Sequence, residues 1–281
     1  MKKLIMLLLV ITIVAEAQIQ TPSASPAGSV TTVVGLTDVK ITYSRPRMKG
    51  RKIFGDGANF LVPYGKLWRT GANNGTRISF SDDVKVEGKD VPKGEYTIYT
   101  WPGATEWTIA LYKDLSLGGN TADYNKENET ARFTVKSEKL AERVETFTLN
   151  IGDIADNSAS AKVQLAWENT SVKFTVAVDF DSKVMKAIEA NTKLNPNALA
   201  AAASYYFENG KDLKQALEWM TIACDANPDF YWNWLTKAKI QKALGDKNGA
   251  MASSKQSKAK AEEAKNADYV KLNDDFVKAL K

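Results

Sequence analysis

The feature of this sequence that most constrains its fold is a change of pattern near Asp181. Before this residue, short segments rich in β-branched and aromatic residues follow one another, separated by turns that contain Gly, Pro and Asn. In "TDVKITYS", for example, Val39, Ile41 and Tyr43 alternate with polar residues, which is typical of a strand with one buried face. After Asp181 this alternation stops and helix-forming segments replace it. The sequence therefore predicts a two-part α+β chain with the β part first.

The first part, residues 29–181, is predicted to be an all-β sandwich or a partly closed barrel. About ten short strands at regular spacing are typical of these architectures. The segments "ARFTVK" (131–136) and "ETFTLNI" (145–151) are predicted as separate strands. The segment "WENTSVKFTV" (167–176) is predicted as a hairpin.

The second part, residues 182–281, repeats a unit of helix, glycine-containing turn and helix. Ala216 and Ala250 lie 34 positions apart, which is the period of the tetratricopeptide repeat. This region resembles that family, and Ala216, Ala223 and Pro228 match the small, small and proline positions of one repeat. The resemblance implies a surface that contacts a protein or peptide partner.

A second repeat matches the same pattern in part. Trp234 stands at its early large position, and Ala238 and Ala250 stand at its small positions. It departs from the pattern at Ser254 and Ser257, where the family has small or aromatic residues. An ordinary helical bundle is the alternative interpretation of this part of the chain.

The beginning of the chain has the pattern of a signal peptide. Lys2–Lys3 is followed by an apolar run, Leu4–Ala15, and by an A-x-A cleavage site that ends at Ala17. We expect residues 1–17 to be removed and residues 18–28, which are rich in Ser and Pro, to form a flexible linker. No later run predicts a membrane span. The expected product is a soluble protein exported to the periplasm or the extracellular space.

The composition excludes several kinds of chemistry. The chain has no histidine, so a Ser-His-Asp or Cys-His mechanism is excluded and the usual zinc ligand is absent. Its single cysteine, Cys224, cannot form an internal disulfide and is predicted to be buried. No metal or cofactor is predicted.

The distribution of charge argues against nucleic-acid binding. Residues 18–181 carry 20 basic and 20 acidic side chains, and residues 182–281 carry 16 and 12. The basic excess is therefore spread thinly over the helical part and does not form a stripe. No nucleic-acid partner is expected.

Three segments resemble the Domain of Unknown Function 2911 family, which consists of exported β-rich proteins found mostly in Bacteroidetes. They are "GLTDVKITYSRPRMKGRKIFGD" (35–56), the segment from "LVPYGKLWRTGANNG" to "EYTIYTWPG" (61–103), and "EWTIAL" (106–111). The resemblance covers about half of the chain and implies a fold neighbourhood and an exported location. It brings no established activity.

Two of these segments contain the candidate ligand-binding residues. They are Tyr43, Arg45, Arg47, Trp68, Arg69, Asn73 and Asn74. Arginine offers a planar fork suited to carboxylate, sulfate or phosphate, and asparagine amides both donate and accept hydrogen bonds. Together with an aromatic face, these groups are typical of a site for a small anionic or glycan-like ligand.

A purely structural interpretation competes with this one. Trp68 would fill the core of the sandwich, and Arg69 would pair with a carboxylate of Asp82, Asp83 or Glu87. Asn73 and the residues after it would only shape a turn.

Two functions therefore stay open. The first is a non-enzymatic binding or scaffolding protein. The second is a carbohydrate-active hydrolase, which would need two carboxylates about 5 to 10 Å apart in a cleft beside Trp68 or Tyr43. The candidate pairs are Asp82–Asp83 and Asp179–Asp181, but their positions are typical of a turn and a helix N-cap.

Overall fold

A computed structural model of the protein describes residues 21–191 and 195–280. The predicted signal peptide and the first three residues of the predicted linker lie outside the described residues. The chain divides between Asp179 and Phe180 into two compact units, which we call the β unit and the helical unit.

The β unit contains eleven strands in its described residues. They are β1 Ala27–Val34, β2 Thr37–Ser44, β3 Phe54–Gly55, β4 Val62–Pro63, β5 Arg77–Phe80, β6 Val84–Val86, β7 Lys89–Val91, β8 Gly94–Trp101, β9 Glu106–Tyr112, β10 Glu129–Gly152 and β11 Ser160–Val178. Nine strands form one antiparallel sheet in the order β1-β2-β5-β8-β9-β10-β11-β6-β7, and β3 and β4 form a short parallel pair. The sheet is not closed into a barrel, because its end strands β1 and β7 do not pair.

Two long, bent strands connect the halves of the sheet. Residues 129–136 of β10 pair with β9, whereas residues 137–152 pair with β11. The register between β10 and β11 shifts on both sides of Val144, as at a β-bulge. In β11, Glu168 has a φ of 56°, but the strand continues through it. The predicted hairpin at 167–176 is therefore wrong, and the two predicted strands in 131–151 are one bent strand.

The core of the β unit lies between the two halves of the bent sheet. As the alternation predicted, Val39, Ile41 and Tyr43 of β2 are buried. The Tyr43 hydroxyl accepts a hydrogen bond from Leu149 N at 3.1 Å and donates to Leu149 O at 3.4 Å. This contact joins β2 to the second half of β10 across the core.

The helical unit contains six helices in its described residues. They are α1 Asp181–Asn191, α2 Pro196–Glu208, α3 Leu213–Ala226, α4 Tyr231–Ala243, α5 Lys247–Glu263 and α6 Ala267–Lys278. Helix α2 begins at Pro196, and the Asn195 side chain caps it by accepting a hydrogen bond from Asn197 N at 2.9 Å. None of the helices in the described ranges is long and apolar enough to span a membrane. The predicted two-part α+β architecture is thus confirmed.

Alanine, sulfur-containing and aliphatic side chains form the core of the helical unit. Ala203, Ala216, Met220, Cys224 and Ile240 are fully buried and contact one another. The prediction that Cys224 is buried is confirmed, and burial raises the pKa of its thiol to about 11. Cys224 therefore acts as a small apolar core residue.

Helices α4, α5 and α6 share a buried polar network. Ser254 Oγ donates to Asn273 Oδ1 at 2.8 Å, and Asn273 Nδ2 donates to Ser257 Oγ at 2.9 Å. Ser257 Oγ in turn donates to Tyr231 O at 2.8 Å. The two serines that depart from the repeat pattern are thus small buried residues whose hydroxyls have partners.

Candidate functional site

The candidate residues of the first motif follow the end of β2. Beyond Ser44 the chain forms a loop, residues 45–52, that is fastened to β10. Phe147 N donates to Pro46 O at 2.9 Å, and Met48 N donates to Glu145 O at 2.9 Å. Arg47 is exposed and forms a single bridge with Thr146 in β10. The main chain of loop 45–52 is therefore held in place by hydrogen bonds to β10.

Trp68 lies in an aromatic cluster inside the β unit. Its ring stacks on Trp167, with centroids 5.9 Å apart and an interplanar angle of 19°. Its edge contacts include Phe147 at 5.4 Å. The indole N–H donates to Gly71 O at 3.2 Å. These contacts agree with the structural interpretation of Trp68.

Tyr43 belongs to the same end of the core. Its ring meets the edge of Phe147 at 5.9 Å, so Phe147 contacts both Tyr43 and Trp68. The structure thus brings the aromatic residues of the two motifs together, with Tyr43 buried, Trp68 half-buried and their polar atoms hydrogen-bonded.

Arg69 lies beside the neighbouring loop that carries Gly119. A Cβ atom on Gly119 would come within 3.0 Å of Arg69 Cδ. Arg69 is half-buried, and its Nε is a buried donor without a hydrogen-bond partner. Burial raises the pKa of Tyr99 to about 12, and the charge of Arg69 opposes that rise.

The carboxylates considered as partners of Arg69 hold other groups. Asp83 accepts a hydrogen bond from Lys93 N at 2.8 Å, and Glu87 accepts one from Thr175 N at 2.5 Å. Asp82 accepts hydrogen bonds from the hydroxyls of Thr37 and Ser81. The contacts with Thr37 and Thr175 join turns to β2 and β11, and those with Ser81 and Lys93 lie within the turns around β6 and β7.

Asn73 and Asn74 form the loop before β5. Asn73 has a φ of 58°, and its amide donates to Ser44 Oγ at 3.2 Å. The next residues pack tightly: a Cβ atom on Gly75 would lie 2.5 Å from Thr97 Cγ2. Gly75 N donates to Gly118 O at 3.2 Å. These close contacts fix the shape of the loop before β5.

An open cavity of about 650 Å³ lies beside the loop before β5, on the outer face of the sheet. Its described lining consists of Ala27–Ser29, Lys40, Thr42–Ser44, Asn74, Gly75 and Arg77. Lys40, Thr42 and Ser44 alternate along β2, so their side chains share one face. Arg77 of β5 pairs directly with Thr42.

The cavity is electropositive. Lys40 is exposed, and Arg77 Nη1 lies 3.6 Å from Glu95 Oε2 in a pair whose side chains are 35% and 40% exposed. Such a pair holds the guanidinium weakly. The described lining contains two cations and no carboxylate.

Part of this cavity is predictable from the sequence. Asn74 and Tyr43 are among the candidate residues of the motifs, whereas Lys40, Thr42, Ser44 and Arg77 are not. The signal was the alternation in β2, which places Lys40, Thr42 and Ser44 on the polar face. That Arg77 joins them follows only from the pairing of β2 with β5.

A second polar cluster on the outer face was not predicted. Glu129 accepts hydrogen bonds from Arg132 Nε at 2.8 Å, Arg132 Nη2 at 2.6 Å and the Tyr124 hydroxyl at 2.8 Å. The Arg132 guanidinium lies 4.0 Å from the ring centre of Trp101. Tyr124 stacks on Tyr112, with centroids 4.8 Å apart.

The polar groups of this cluster satisfy one another. Burial raises the pKa of Tyr124, and its hydrogen bond to Glu129 adds to that rise. Burial opposes ionisation of Glu129, but the hydrogen bonds from Arg132 and Tyr124 outweigh it and lower the pKa of the carboxyl. The cluster is therefore a structural ion pair under the segment 113–128.

Metal binding has no support in the described part of the chain. No group of three or more cysteine, aspartate or glutamate side chains there could hold a metal ion.

The fold and the cavity define an α+β protein with an antiparallel β unit that carries a ligand-sized basic cavity, followed by a helical unit. The chain belongs to the family described as "Protein of unknown function (DUF2911)", whose sequence model matches residues 25–176. The predicted family of the β unit is thereby confirmed.

Comparison with curated proteins finds no match. Among solved structures, the solution structure of a Bordetella parapertussis protein aligns with 37% of this chain and 89% of that chain, at 21% identity and a TM-score of 0.32. At that TM-score the likeness carries no argument.

Proposed function

We propose that the β unit is a non-enzymatic binding module whose cavity holds a small anionic ligand with hydroxyl groups, such as an acidic sugar. The observation that carries the proposal is the lining of the cavity, which combines Lys40 and Arg77 with hydroxyl and amide groups and has no carboxylate among its described residues. Arg77 is only weakly held by Glu95, which lies outside the lining, so the two cations of the lining favour an anion.

Each polar group of the cavity has a role in this proposal. Arg77 presents a planar fork that matches a carboxylate, and Lys40 adds a point charge. The hydroxyls of Thr42 and Ser44 and the amide of Asn74 offer donors and acceptors to sugar hydroxyls. The volume of about 650 Å³ is in the range of small-molecule sites.

Residues of the family motifs hold the cavity-lining strand and loop in position through hydrogen bonds and packing. Asn73 holds Ser44 by a hydrogen bond of 3.2 Å. Trp68 N donates to Thr100 O at 2.8 Å, and its ring packs in the aromatic cluster. In this proposal Tyr43, Trp68 and Asn73 scaffold the binding face, and the ligand contacts residues of its outer surface.

The test is a comparison of D-galacturonate with D-galactose, which differ in the carboxylate. We expect galacturonate to raise the melting temperature, because a ligand at 100 times its Kd adds about 2.7 kcal/mol of stability. Galactose should have a much smaller effect. Lys40→Gln with Arg77→Gln should remove the galacturonate response.

The matched control is Lys89→Gln with Lys93→Gln, which removes the same charge from exposed positions elsewhere in the β unit. The control should respond like the unmodified protein. Equal responses to the two sugars, or an unchanged response in the cavity variant, would refute the proposal.

The alternative is the paired-carboxylate hydrolase. It requires two carboxyl groups about 5 to 10 Å apart across the bound sugar, and the lining supports binding instead. Release of reducing ends from uronate oligosaccharides incubated with the protein would favour the hydrolase over the binding module.

We also propose that the helical unit is a tetratricopeptide-like array that contacts a peptide partner. Ala216 and Ala250, the equivalent small positions, are both fully buried. An apolar groove of about 580 Å³ is lined by residues that include Met185, Ile188 and Trp219. The test compares the proteins that bind the unmodified protein with those that bind Ile188→Asp. A partner that binds the unmodified protein but not the variant would support this proposal. The same set of bound proteins for both would contradict it.

Export is the third part of the proposal. It rests on the basic, apolar and A-x-A pattern of residues 1–17. Amino-terminal sequencing of the protein from the exported fraction should give a chain that begins at Gln18. An intact Met1 in that fraction would contradict cleavage.

A further inference from the structure

Next to the cavity lies a strongly basic loop, residues 45–52, with the sequence RPRMKGRK. Five of its eight residues are cationic: Arg45, Arg47, Lys49, Arg51 and Lys52. All but Arg45 are exposed. The β unit as a whole has balanced charges between residues 18 and 181, so this loop concentrates positive charge in one place.

The cations of the loop form no ion pair with the described residues. Lysines of the helical unit differ, because Lys258 pairs with Asp274 at 2.7 Å and Lys271 with Asp275 at 2.6 Å. The nearby Glu145 carboxylate accepts a hydrogen bond from Lys49 N at 3.0 Å, which is a main-chain group. The charges of the exposed Arg47 and Lys49 are therefore available to an external anion, and Lys52 adds a charge beside the Phe60 ring, 5.8 Å from its centre.

The type of cation also favours oxyanions. The helical unit has lysine as its only basic residue, whereas the loop has three of the seven arginines of the chain. Arg51 uses Nε and Nη2 to hold the loop and Arg45 is half-buried, so the exposed Arg47 is the arginine that offers its fork to a ligand. Arginine forms paired hydrogen bonds with carboxylate and sulfate, which lysine does not.

Hydrogen bonds hold the main chain of the loop and the Arg51 side chain in place. Met48 is fully buried, and its N donates to Glu145 O at 2.9 Å. Arg51 donates from Nε to Met48 O at 3.0 Å and from Nη2 to Arg47 O at 2.7 Å. A pre-ordered loop loses little entropy when it binds.

The loop continues directly from the cavity. Ser44 lines the cavity, and Arg45 and Arg47 follow it in the chain. Because consecutive Cα atoms are 3.8 Å apart, Arg47 lies at most about 11 Å from Ser44. A ligand of several units can therefore reach from the cavity to the loop.

We infer that the ligand is a polyanionic glycan, with one acidic sugar in the cavity and the following units over loop 45–52. This inference rests on the proposed function and extends it to a class of polymer. A single-stranded nucleic acid fits less well, because such sites use exposed aromatic platforms. Tyr43 and Trp68 pack in the aromatic cluster of the β unit, and the partly exposed ring of Phe60 lies under Lys52, with Nζ 5.8 Å from its centre.

The experiment measures binding of D-galacturonate and of polygalacturonate to the full chain and to three variants of it, two with three substitutions and one with two. The loop variant is Arg47→Gln, Lys49→Gln and Lys52→Gln, which keeps Arg51 because its side chain holds the loop. The charge control is Lys66→Gln, Lys89→Gln and Lys93→Gln, at exposed positions elsewhere. The cavity variant is Lys40→Gln with Arg77→Gln.

The loop variant should bind polygalacturonate about tenfold more weakly, because three surface charge contacts are lost. It should bind the monomer within about twofold of the unmodified protein. The charge control should bind both as the unmodified protein does, and the cavity variant should lose both. Circular dichroism checks that each variant is folded.

The possible failures are distinguishable. Unchanged polymer binding in the loop variant, with loss of both ligands in the cavity variant, overturns this inference and leaves the proposed function intact. Equal weakening by the charge control overturns it as a non-specific charge effect. Tighter binding of oligo-dT than of polygalacturonate overturns the assignment to glycans. Absence of monomer and polymer binding in the unmodified protein overturns both proposals.

Discussion

At the scale of single residues, Glu129 shows how an ion pair is stabilised on the outer face of the sheet. Its side chain is 7% exposed, whereas that of Arg132 is 33% exposed. Two hydrogen bonds from Arg132 and one from Tyr124 stabilise the carboxylate. Burial alone would raise the pKa of Glu129, and the hydrogen bonds reverse that effect.

Glu129→Gln is therefore expected to reduce stability in a pH-dependent way. Because the pKa of Glu129 is lower in the folded protein, its contribution is complete above the unfolded value of 4.5 and is lost as the pH falls through the folded value. At pH 7 the loss should be about 1–3 kcal/mol, reduced from that of a fully buried pair by the exposure of Arg132.

Urea unfolding of Glu129→Gln between pH 3 and 7 measures this effect. The free energy of unfolding of Glu129→Gln should vary less with pH than that of the unmodified protein. Glu127→Gln is the matched control, since Glu127 is exposed two residues away. An equal pH dependence in Glu129→Gln and the unmodified protein would contradict the role of Glu129.

Gly119 is the second residue with a sharp prediction. It has a φ of 96°, and an added Cβ would lie 2.5 Å from Gly75 N and 3.0 Å from Arg69 Cδ. Gly119→Ala should cost about 2–4 kcal/mol through backbone strain and overpacking. Thermal unfolding measures the loss.

Gly118→Ala is the control for the effect of a positive φ alone. Gly118 has a φ of 60°, but an added Cβ there would have no neighbour closer than 3.9 Å. Its cost should be about 1 kcal/mol. If Gly119→Ala is no more damaging than Gly118→Ala, the close packing of Gly119 on Gly75 has no energetic weight.

At the scale of elements, a bend within a strand and a break between two strands have the same local sequence pattern. Residues 131–136 and 145–151 each alternate like a complete strand, and polar residues separate them. In the structure the chain passes through this polar stretch as part of β10, because β11 pairs beside it. Whether a polar stretch ends a strand or bends it depends on a pairing partner that is distant in sequence.

Asn273 allows a prediction about the last three helices. Its side chain is 1% exposed and hydrogen-bonds both Ser254 and Ser257. Asn273→Ala should cost about 2–4 kcal/mol, because it leaves the buried Ser254 hydroxyl without its partner and removes the hydrogen bond that Ser257 Oγ accepts. Denaturant unfolding measures the loss.

A double-mutant cycle separates this hydrogen bond from packing. Ser254→Ala combined with Asn273→Ala should cost less than the sum of the single changes, by about 0.5–3 kcal/mol. Additive costs would mean that the hydrogen bond between Ser254 and Asn273 contributes nothing measurable.

At the scale of the whole molecule, each unit has its own core. Met220 is fully buried in the core of the helical unit, and Met220→Ala should cost about 2–5 kcal/mol there. Hydrogen exchange read by mass spectrometry should show reduced protection in helices α2–α4. Protection of β8 and β9 should be unchanged, and equal loss in both units would contradict separate cores.

The sequence alone determined the two-part architecture, the family of the β unit and the burial of Cys224. These properties follow from local periodicity, motif strings and composition, which neighbouring residues specify. It also placed Lys40, Thr42 and Ser44 on a polar face, because side chains alternate along any strand.

Only the tertiary structure decided which polar residues meet. Arg77 joins Thr42 through strand pairing, Gly75 meets Gly119 across two loops, and Glu129 is sealed in its cluster by Tyr124. The tertiary structure also placed Trp68 among the aromatic side chains of the core. The physical reason is that a site depends on contacts between residues distant in sequence, whereas the periodicity of a strand is local.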